Sequence, residues 1–248
     1  MAESIVLSLY ILAGISASLI VSFTMKSIGV FTPYLSRKLV HISVGVSVMI
    51  FFKYFEGSDL ITRFWCVLPL LLFCVVFYVF GSGHVSGKLV DFMTTSVCRT
   101  GKATEMTKGP LFYCVVMVFL IIVFWKSYPP SVIGLMVMVT GDGIAEIFGK
   151  IIPSKVLKTP WNETKTVAGV IAVCLGGTLG SIVICYHVFG QFYVLQSFIS
   201  ALLGAAVEFY SPPGLDNIFI PIPALLINLP FFYYCFCCYL FLPNNKKY

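Results

Sequence analysis

The sequence predicts an all-α bundle of transmembrane helices, with about seven or eight spans. Three observations predict it. The chain is 59% hydrophobic and only 10% charged, against about 45–50% apolar and about 25% charged residues in soluble domains. Its mean hydropathy is +0.98. Apolar runs of spanning length recur at 4–22, 39–55, 64–80, 110–125, 131–149, 167–186, 194–210 and 218–242. A span needs about 20 such residues. The composition argues against a soluble enzyme and against a nucleic-acid partner. There is no fixed repeat, no low-complexity tract and no separate soluble domain, so residues 1–248 read as one membrane domain.

The run at 4–22 has Glu3 as its only flanking charge. A cleaved signal would carry a basic flank there, so a retained first span is expected. The run at 39–55 follows Arg37 and Lys38. That at 110–125 is entered through Lys108, Gly109 and Pro110, and proline is tolerated in a first helical turn. The run at 131–149 is the least lipid-like, because it contains VTGDGIAEIFGK. The final two are separated by a Pro-Pro-Gly turn at 212–214, a strong local breaker. The segments 81–109 and 150–166 read as polar, basic linkers.

Of nine cysteines, all but Cys98 lie in apolar runs, where they behave as small hydrophobes. Cys98 sits in a polar loop. Cys235 and Cys238 have CxxC spacing inside FFYYCFCCYLF, with no second pair or histidine cluster. Neither a metal site nor a disulfide is expected from them.

Basic residues fall mainly on one side. The odd-numbered loops hold Lys26, Arg37, Lys38, Lys88, Arg99, Lys102, Lys108, Lys150, Lys155, Lys158 and Lys165, eleven of the sixteen. The other side holds Lys53, Arg63, Lys126, Lys246 and Lys247. Positive-inside bias puts the odd loops in the cytosol. Lys246 and Lys247 argue mildly the other way.

Orientation explains cations but not the acidic and glycine residues on the same side. In SRKLVHISVG, Arg37 and His41 share a helical face, and a basic pair at a helix start opposes the macrodipole unless an anion joins it. Snorkelling cations are the simpler alternative. Lys108 and Gly109 stand at a helix entry, where backbone N–H groups bind phosphate. Asp142, Glu146 and Lys150 are spaced four apart. Charges at membrane depth are costly and survive when they face a cavity, a partner or a metal. An ion pair between Glu146 and Lys150 accounts for those two. Asp142, bracketed by Gly141 and Gly143, has no nearby cation in sequence. It suits Mg²⁺, which takes one or two carboxylates plus substrate phosphates, and the glycines would let backbone approach those phosphates. Lys165 and Thr166 open another helix, without the glycine pattern of a Walker A loop. Glu208 ends one span, and Asp216 and Asn217 start the next. Several cations with several carboxylates is the composition of a Mg²⁺–triphosphate site.

In order, these blocks read RKxxH, KGPxxY, GDGxAxxxG, KTxxG, then Glu followed by Asp-Asn, across residues 36–224. This order resembles the polyprenol kinase family of phytol, farnesol and dolichol kinases, closest to the phytol kinase branch and distantly related to phosphatidate cytidylyltransferases. The carried-over positions are Arg37, Lys38 and His41; Lys108, Gly109, Pro110 and Tyr113; Gly141, Asp142, Gly143, Ala145 and Gly149; Lys165, Thr166 and Gly169; and Glu208, Asp216 and Asn217. The resemblance implies transfer of the γ-phosphoryl group of CTP to a lipid alcohol drawn from the bilayer, with Mg²⁺ or another divalent cation. On that reading Asp142 and Asp216 hold the metal. Arg37, Lys38, Lys108 and Lys165 hold phosphate oxygens, with Lys150, Gly109, Gly141, Gly143, Thr166 and Asn217 as further nucleotide contacts. Asp142, Glu208, His41 and Lys165 form the catalytic set, with Glu208 or His41 as base. A CTP-dependent diacylglycerol kinase, a phosphatidate cytidylyltransferase and a transporter are the alternatives. The KD, HGG and DR ending of the cytidylyltransferases is absent. The expected location is an endoplasmic reticulum or plastid-type membrane in a eukaryote, otherwise the plasma membrane.

Overall fold

The computed structural model describes residues 1–161 and 163–227. It is a helical bundle with six helices long and apolar enough to cross a membrane, and two shorter apolar ones. The chain runs α1 (Ala2–Ser27), α2 (Pro33–Phe52), α3 (Leu60–Gly81), α4 (Lys88–Val97), α5 (Gly109–Phe124), α6 (Pro129–Met136), α7 (Gly143–Ile151), a hairpin of β1 (Val156–Lys158) and β2 (Thr164–Thr166), α8 (Val167–Phe189), α9 (Val194–Tyr210), α10 (Asp216–Phe219) and α11 (Ile222–Ile227). Most of the predicted run 218–242, with Cys235, Cys237, Cys238, Lys246 and Lys247, lies outside the described residues.

Local chemistry sets the helix ends. The Thr32 hydroxyl accepts from Leu35 N–H, and Pro33 occupies the first turn of α2, a position that needs no N–H donor. Asp59 caps α3 by accepting from Thr62 N–H at 3.0 Å. Gly190, at φ 71°, ends α8 in the left-handed conformation that glycine adopts without steric cost.

The packing is that of a protein dissolved in lipid. Ile171, Leu175, Leu179 and Val183 form an exposed stripe on α8, four residues apart. The opposite side of α8 is small. A Cβ on Gly177 would stand 3.2 Å from the Ala201 Cβ and 3.3 Å from the Val137 Cα, and Gly180 is pressed by Thr140. Lipid tails leave no hydrophobic drive between helices, so close backbone approach through small residues supplies the dispersion contacts.

The two segments read as linkers are structured. Residues 81–109 contain α4 and a 3₁₀ turn at Ala103–Thr107. α4 is held to α1 by polar contacts, with Lys26 Nζ donating to the Thr95 carbonyl at 2.6 Å, and α1 is held to α2 where the Ser22 and Ser36 hydroxyls meet at 2.5 Å. Ser22 Oγ also donates to the Ser96 carbonyl at 3.4 Å. The hairpin fills part of 150–166, pairing Leu157 with Lys165 in antiparallel register. Short runs such as VLK and TKT carry too little periodicity to announce a strand.

Cys98, which the sequence places in a polar loop, is buried at 1% exposure just after α4. Burial pushes its thiol up to about 12, and the thiolate is the reactive form. A maleimide should therefore leave Cys98 unlabelled in the folded protein and label it after denaturation, as read by peptide mass spectrometry. Prompt labelling of folded protein would put residue 98 at the surface.

Candidate active site

α6 and α7 form one span, Pro129–Ile151, the most buried of the six long ones. Between them, residues Val137–Asp142 wind as a π-helix. Such a turn inserts residues into the helical repeat and re-aims the side chains that follow. It ends on Asp142, 6% exposed.

α2 supplies what Asp142 meets. Lys38 Nζ donates to Asp142 Oδ1 at 2.7 Å and to the Asp142 carbonyl at 2.8 Å. His41 Nε2 lies 3.4 Å from Asp142 Oδ2 and 3.1 Å from the Met138 carbonyl. Both neighbours are acceptors. In the neutral ring, Nε2 therefore carries the proton and Nδ1 is the bare nitrogen. The Tyr113 hydroxyl donates to the His41 carbonyl at 2.7 Å, and the two rings pack 4.3 Å apart. Arg37 turns to the neighbouring side and pairs with Glu146. Glu146 also takes Lys150 at 3.2 Å and Arg99 at 3.6 Å.

A second buried pair comes from β2 and α9. Lys165 Nζ donates to Glu208 Oε1 at 2.6 Å and to the Glu208 carbonyl at 2.9 Å. Asn217 Nδ2 donates to the Gly109 carbonyl at 3.2 Å, tying α10 to the start of α5. Asp216 Oδ1 accepts from Asn217 N–H at 3.0 Å.

All these groups line one cavity of about 940 Å³ at the end of the bundle where the odd loops meet. Deeper in, its walls turn apolar, with Ile15, Leu19, Val44, Leu70, Phe73 and Phe77. Arg37, Lys38, His41, Lys108, Gly109, Asp142, Lys150, Lys165, Thr166, Glu208, Asp216 and Asn217 all belong to the lining. Lys108 has no partner for its ammonium among the described residues.

Gly141 and Gly143 stand elsewhere than the sequence reading puts them. A Cβ on Gly141 would lie 2.9 Å from the Val173 carbonyl, and Gly143 abuts Ile42. They let the π-turn pack against α8 and α2, and they do not face the cavity. The Thr166 hydroxyl is already engaged, accepting from Gly169 N–H and donating to the Gly149 carbonyl, both at 3.2 Å. It caps α8. Asp142, without a cation nearby in sequence, receives one from a helix about 100 positions earlier. Arg99 belongs to the site and was not among the candidates, because a lone arginine in a basic loop carries no sequence pattern.

Whether the site suits a divalent cation turns on its oxygens. Among the described residues, no three His, Cys, Asp or Glu side chains come together closely enough to hold a metal unaided. Mg²⁺ asks for less, one or two carboxylates plus substrate phosphates. Glu208 Oε2 and Asn217 Oδ1 are buried without a hydrogen-bond partner among the described residues. Asp216 has its second oxygen uncommitted among the described residues. These are hard oxygen donors, and they fit. Both Asp142 oxygens already face Lys38 and His41, so a metal would reach Asp142 only by displacing one of them.

A membrane-embedded helical bundle with a charged cavity at one end is thus the class of protein defined here. The chain is 32% identical over 203 residues to a probable phytol kinase of Triticum aestivum, matching 78% of this chain and 66% of that one. It is 30% identical over 227 residues to probable phytol kinase 2 of Oryza sativa subsp. japonica, matching 87% and 72%. It is 30% identical over 170 residues to the farnesol kinase of Arabidopsis thaliana, matching 68% and 53%. All three are named as chloroplastic. No protein-family model matches the chain, and no solved structure does. The chain belongs to the phytol and farnesol kinase family. It spans about two thirds of the length of the wheat relative.

The Lys38–Asp142 pair generates a stability prediction. Removing one partner of a buried pair leaves an uncompensated charge and costs about 3–5 kcal/mol. Asp142→Ala should lower the unfolding midpoint markedly, and Lys38→Met with Asp142→Ala should recover much of it. A double variant whose loss equals the sum of the losses of Asp142→Ala and Lys38→Met made singly, in a thermal melt in lipid nanodiscs, would mean that the pair is not coupled.

Proposed function

We propose that this chain transfers the γ-phosphoryl group of CTP, or of another nucleoside triphosphate, to the hydroxyl of an isoprenoid alcohol such as phytol or farnesol. The observation that carries this reading is the convergence of charged groups from separate segments on one cavity whose inner walls are apolar. The relatives' names, phytol kinase and farnesol kinase, support the acceptor class. Their chloroplastic designation supports a plastid-type membrane, with the cavity on the face that positive-inside bias makes cytosolic in type.

In this reading the alcohol's chain lies along Ile15, Leu19, Val44, Phe73 and Phe77, and its hydroxyl reaches the polar end. The alcohol oxygen bonds to the γ-phosphorus as the bond to the β,γ-bridging oxygen breaks, and the nucleoside diphosphate leaves. The hydroxyl proton passes to Glu208 Oε2, which has no competing partner among the described residues, or to His41 Nδ1. Lys38, Lys108 and Lys165 neutralise charge on the phosphates. Asp216 and Asn217 would hold a magnesium ion, which shields the same charge when bound. Phosphoryl transfer asks a protein mostly for positioning and electrostatics, and a lysine- and carboxylate-lined cavity supplies both.

The test is transfer of label from γ-labelled CTP to phytol or farnesol by the purified protein, with Glu208→Gln and Asp142→Asn as controls. Labelled lipid monophosphate and unlabelled CDP are expected, with Glu208→Gln reduced by about a hundredfold or more, the scale of a lost acid–base group, and Asp142→Asn reduced through the loss of the carboxylate that holds Lys38 and His41. Release of pyrophosphate from CTP as phosphatidic acid is converted to its cytidine diphosphate ester would make it a cytidylyltransferase. Label on diacylglycerol alone would change the acceptor.

A further inference from the structure

The charges in the cavity are unevenly divided. Around Asp142, Glu208 and Asp216 there are three carboxylates against three lysines, Lys38, Lys108 and Lys165. Around Glu146 there are three permanent cations, Arg37, Arg99 and Lys150, against two carboxylates, Glu146 and Glu105, the second of which accepts from the Arg99 and Thr100 N–H groups. The first region is rich in oxygen acceptors and adjoins the apolar walls. The second carries a net positive charge.

We propose that Glu146 gathers Arg37, Arg99 and Lys150 into a separate anion subsite that takes the diphosphate of the donor that is not transferred. The proposal rests on the kinase reading and divides its cavity in two. The acceptor hydroxyl and the reacting phosphorus belong to the carboxylate-rich part, and the leaving nucleoside diphosphate to the cationic part.

Three features carry it. The three cations come from α2, the loop after α4 and α7, segments that share nothing in sequence, yet all point to one carboxylate. Glu146 does not satisfy them: Arg37 Nε is buried without a partner among the described residues, and an unmet guanidinium donor in a cavity calls for another oxygen. Arg99 and Lys150 have side chains 58% and 50% exposed, so their pairing to Glu146 is weak. A diphosphate, with more charge and paired oxygens matched to the arginine fork, would accept from their remaining N–H groups while Glu146 keeps them gathered. Continuity is built in as well, because Arg37 and Lys38 are adjacent on α2 and serve the two parts separately, so one polyphosphate can engage both. Glu146 is a positioning residue here, and Arg99 is a binding residue.

Inorganic pyrophosphate is the probe, titrated by calorimetry into the full chain in lipid nanodiscs, beside steady-state kinetics with CTP and farnesol. Arg99→Ala should weaken pyrophosphate binding about tenfold, the size of one charge-assisted contact. It should raise the KM for CTP by a similar factor and leave the KM for farnesol unchanged. Lys150→Met should act in the same direction and stands as the second variant if Arg99→Ala does not fold. Glu146→Gln should weaken pyrophosphate binding, with partial recovery in Glu146→Asp. Tighter binding in Glu146→Gln would make Glu146 a competitor for the cations and overturn its positioning role. Unchanged pyrophosphate binding in both cation variants, in a chain that still phosphorylates farnesol, would remove the subsite and leave the kinase reading intact. Pyrophosphate binding that depends on Arg99, in a chain that transfers no phosphate, would do the reverse.

Discussion

The contact between Lys38 and Asp142 is the constraint on which the rest of this bundle depends. Their side chains are 4% and 9% exposed, within spans that the composition commits to lipid. A charge at that depth is tolerated only against a partner or inside a cavity. Each member removes the other's penalty, and Lys38 spends a second hydrogen bond on the Asp142 carbonyl. Once that contact forms, the relative position of α2 and the central span is set. His41 then reaches the same carboxylate from one turn further along α2, and Arg37 reaches Glu146 one turn beyond Asp142. The site is the consequence of solving a desolvation problem, not an addition to a finished fold.

The central span could not present Asp142 in this way as a regular helix buried among others. The π-turn changes the phase of the helix at Val137–Asp142. Gly141 and Gly143, on either side of the aspartate, let the widened turn sit against Val173 and Ile42. On the facing helix, Gly176, Gly177 and Gly180 give the same turn room. The glycines beside Asp142 therefore serve the backbone that carries it. The ligand-facing surface is built of side chains.

Much of the fold was legible in the sequence because the signal is a bulk property. Lipid-facing helices must be apolar over their whole length, so runs of hydropathy located α1, α2, α3, α5, α8 and α9 to within a few residues at most ends. The central span was legible as a run, but its π-turn was not, since no hydrophobic period distinguishes an inserted residue. α4 and the hairpin were read as linkers because their hydrogen bonding is short-range and their apolar face is narrow. In the site, Asp142, Lys165 and Glu208 stood out because a charged residue in or beside an apolar run has few explanations. Arg99 did not, because it lies in a loop where a cation needs none. Pairing was illegible throughout. Lys38 with Asp142, and Lys165 with Glu208, join positions far apart in the chain, and only the fold brings them together.

The apolar depth and the charged mouth of the cavity impose opposite demands on the same few helices. α2 meets both: Val44 lines the deep wall, while Arg37, Lys38 and His41 line the mouth, all within two turns. α5 does the same, with Gly109 and Pro110 at the rim and Tyr113 and Cys114 further in. A water-borne anion and a membrane-borne alcohol meet only where such a gradient is steep, because each reagent is stable on one side of it alone. A helix that starts at the interface and runs inward supplies that gradient at about 1.5 Å per residue. This is the physical reason for the charged blocks to cluster at helix starts and ends at one end of the bundle, while the interior of every span beyond them stays apolar or small.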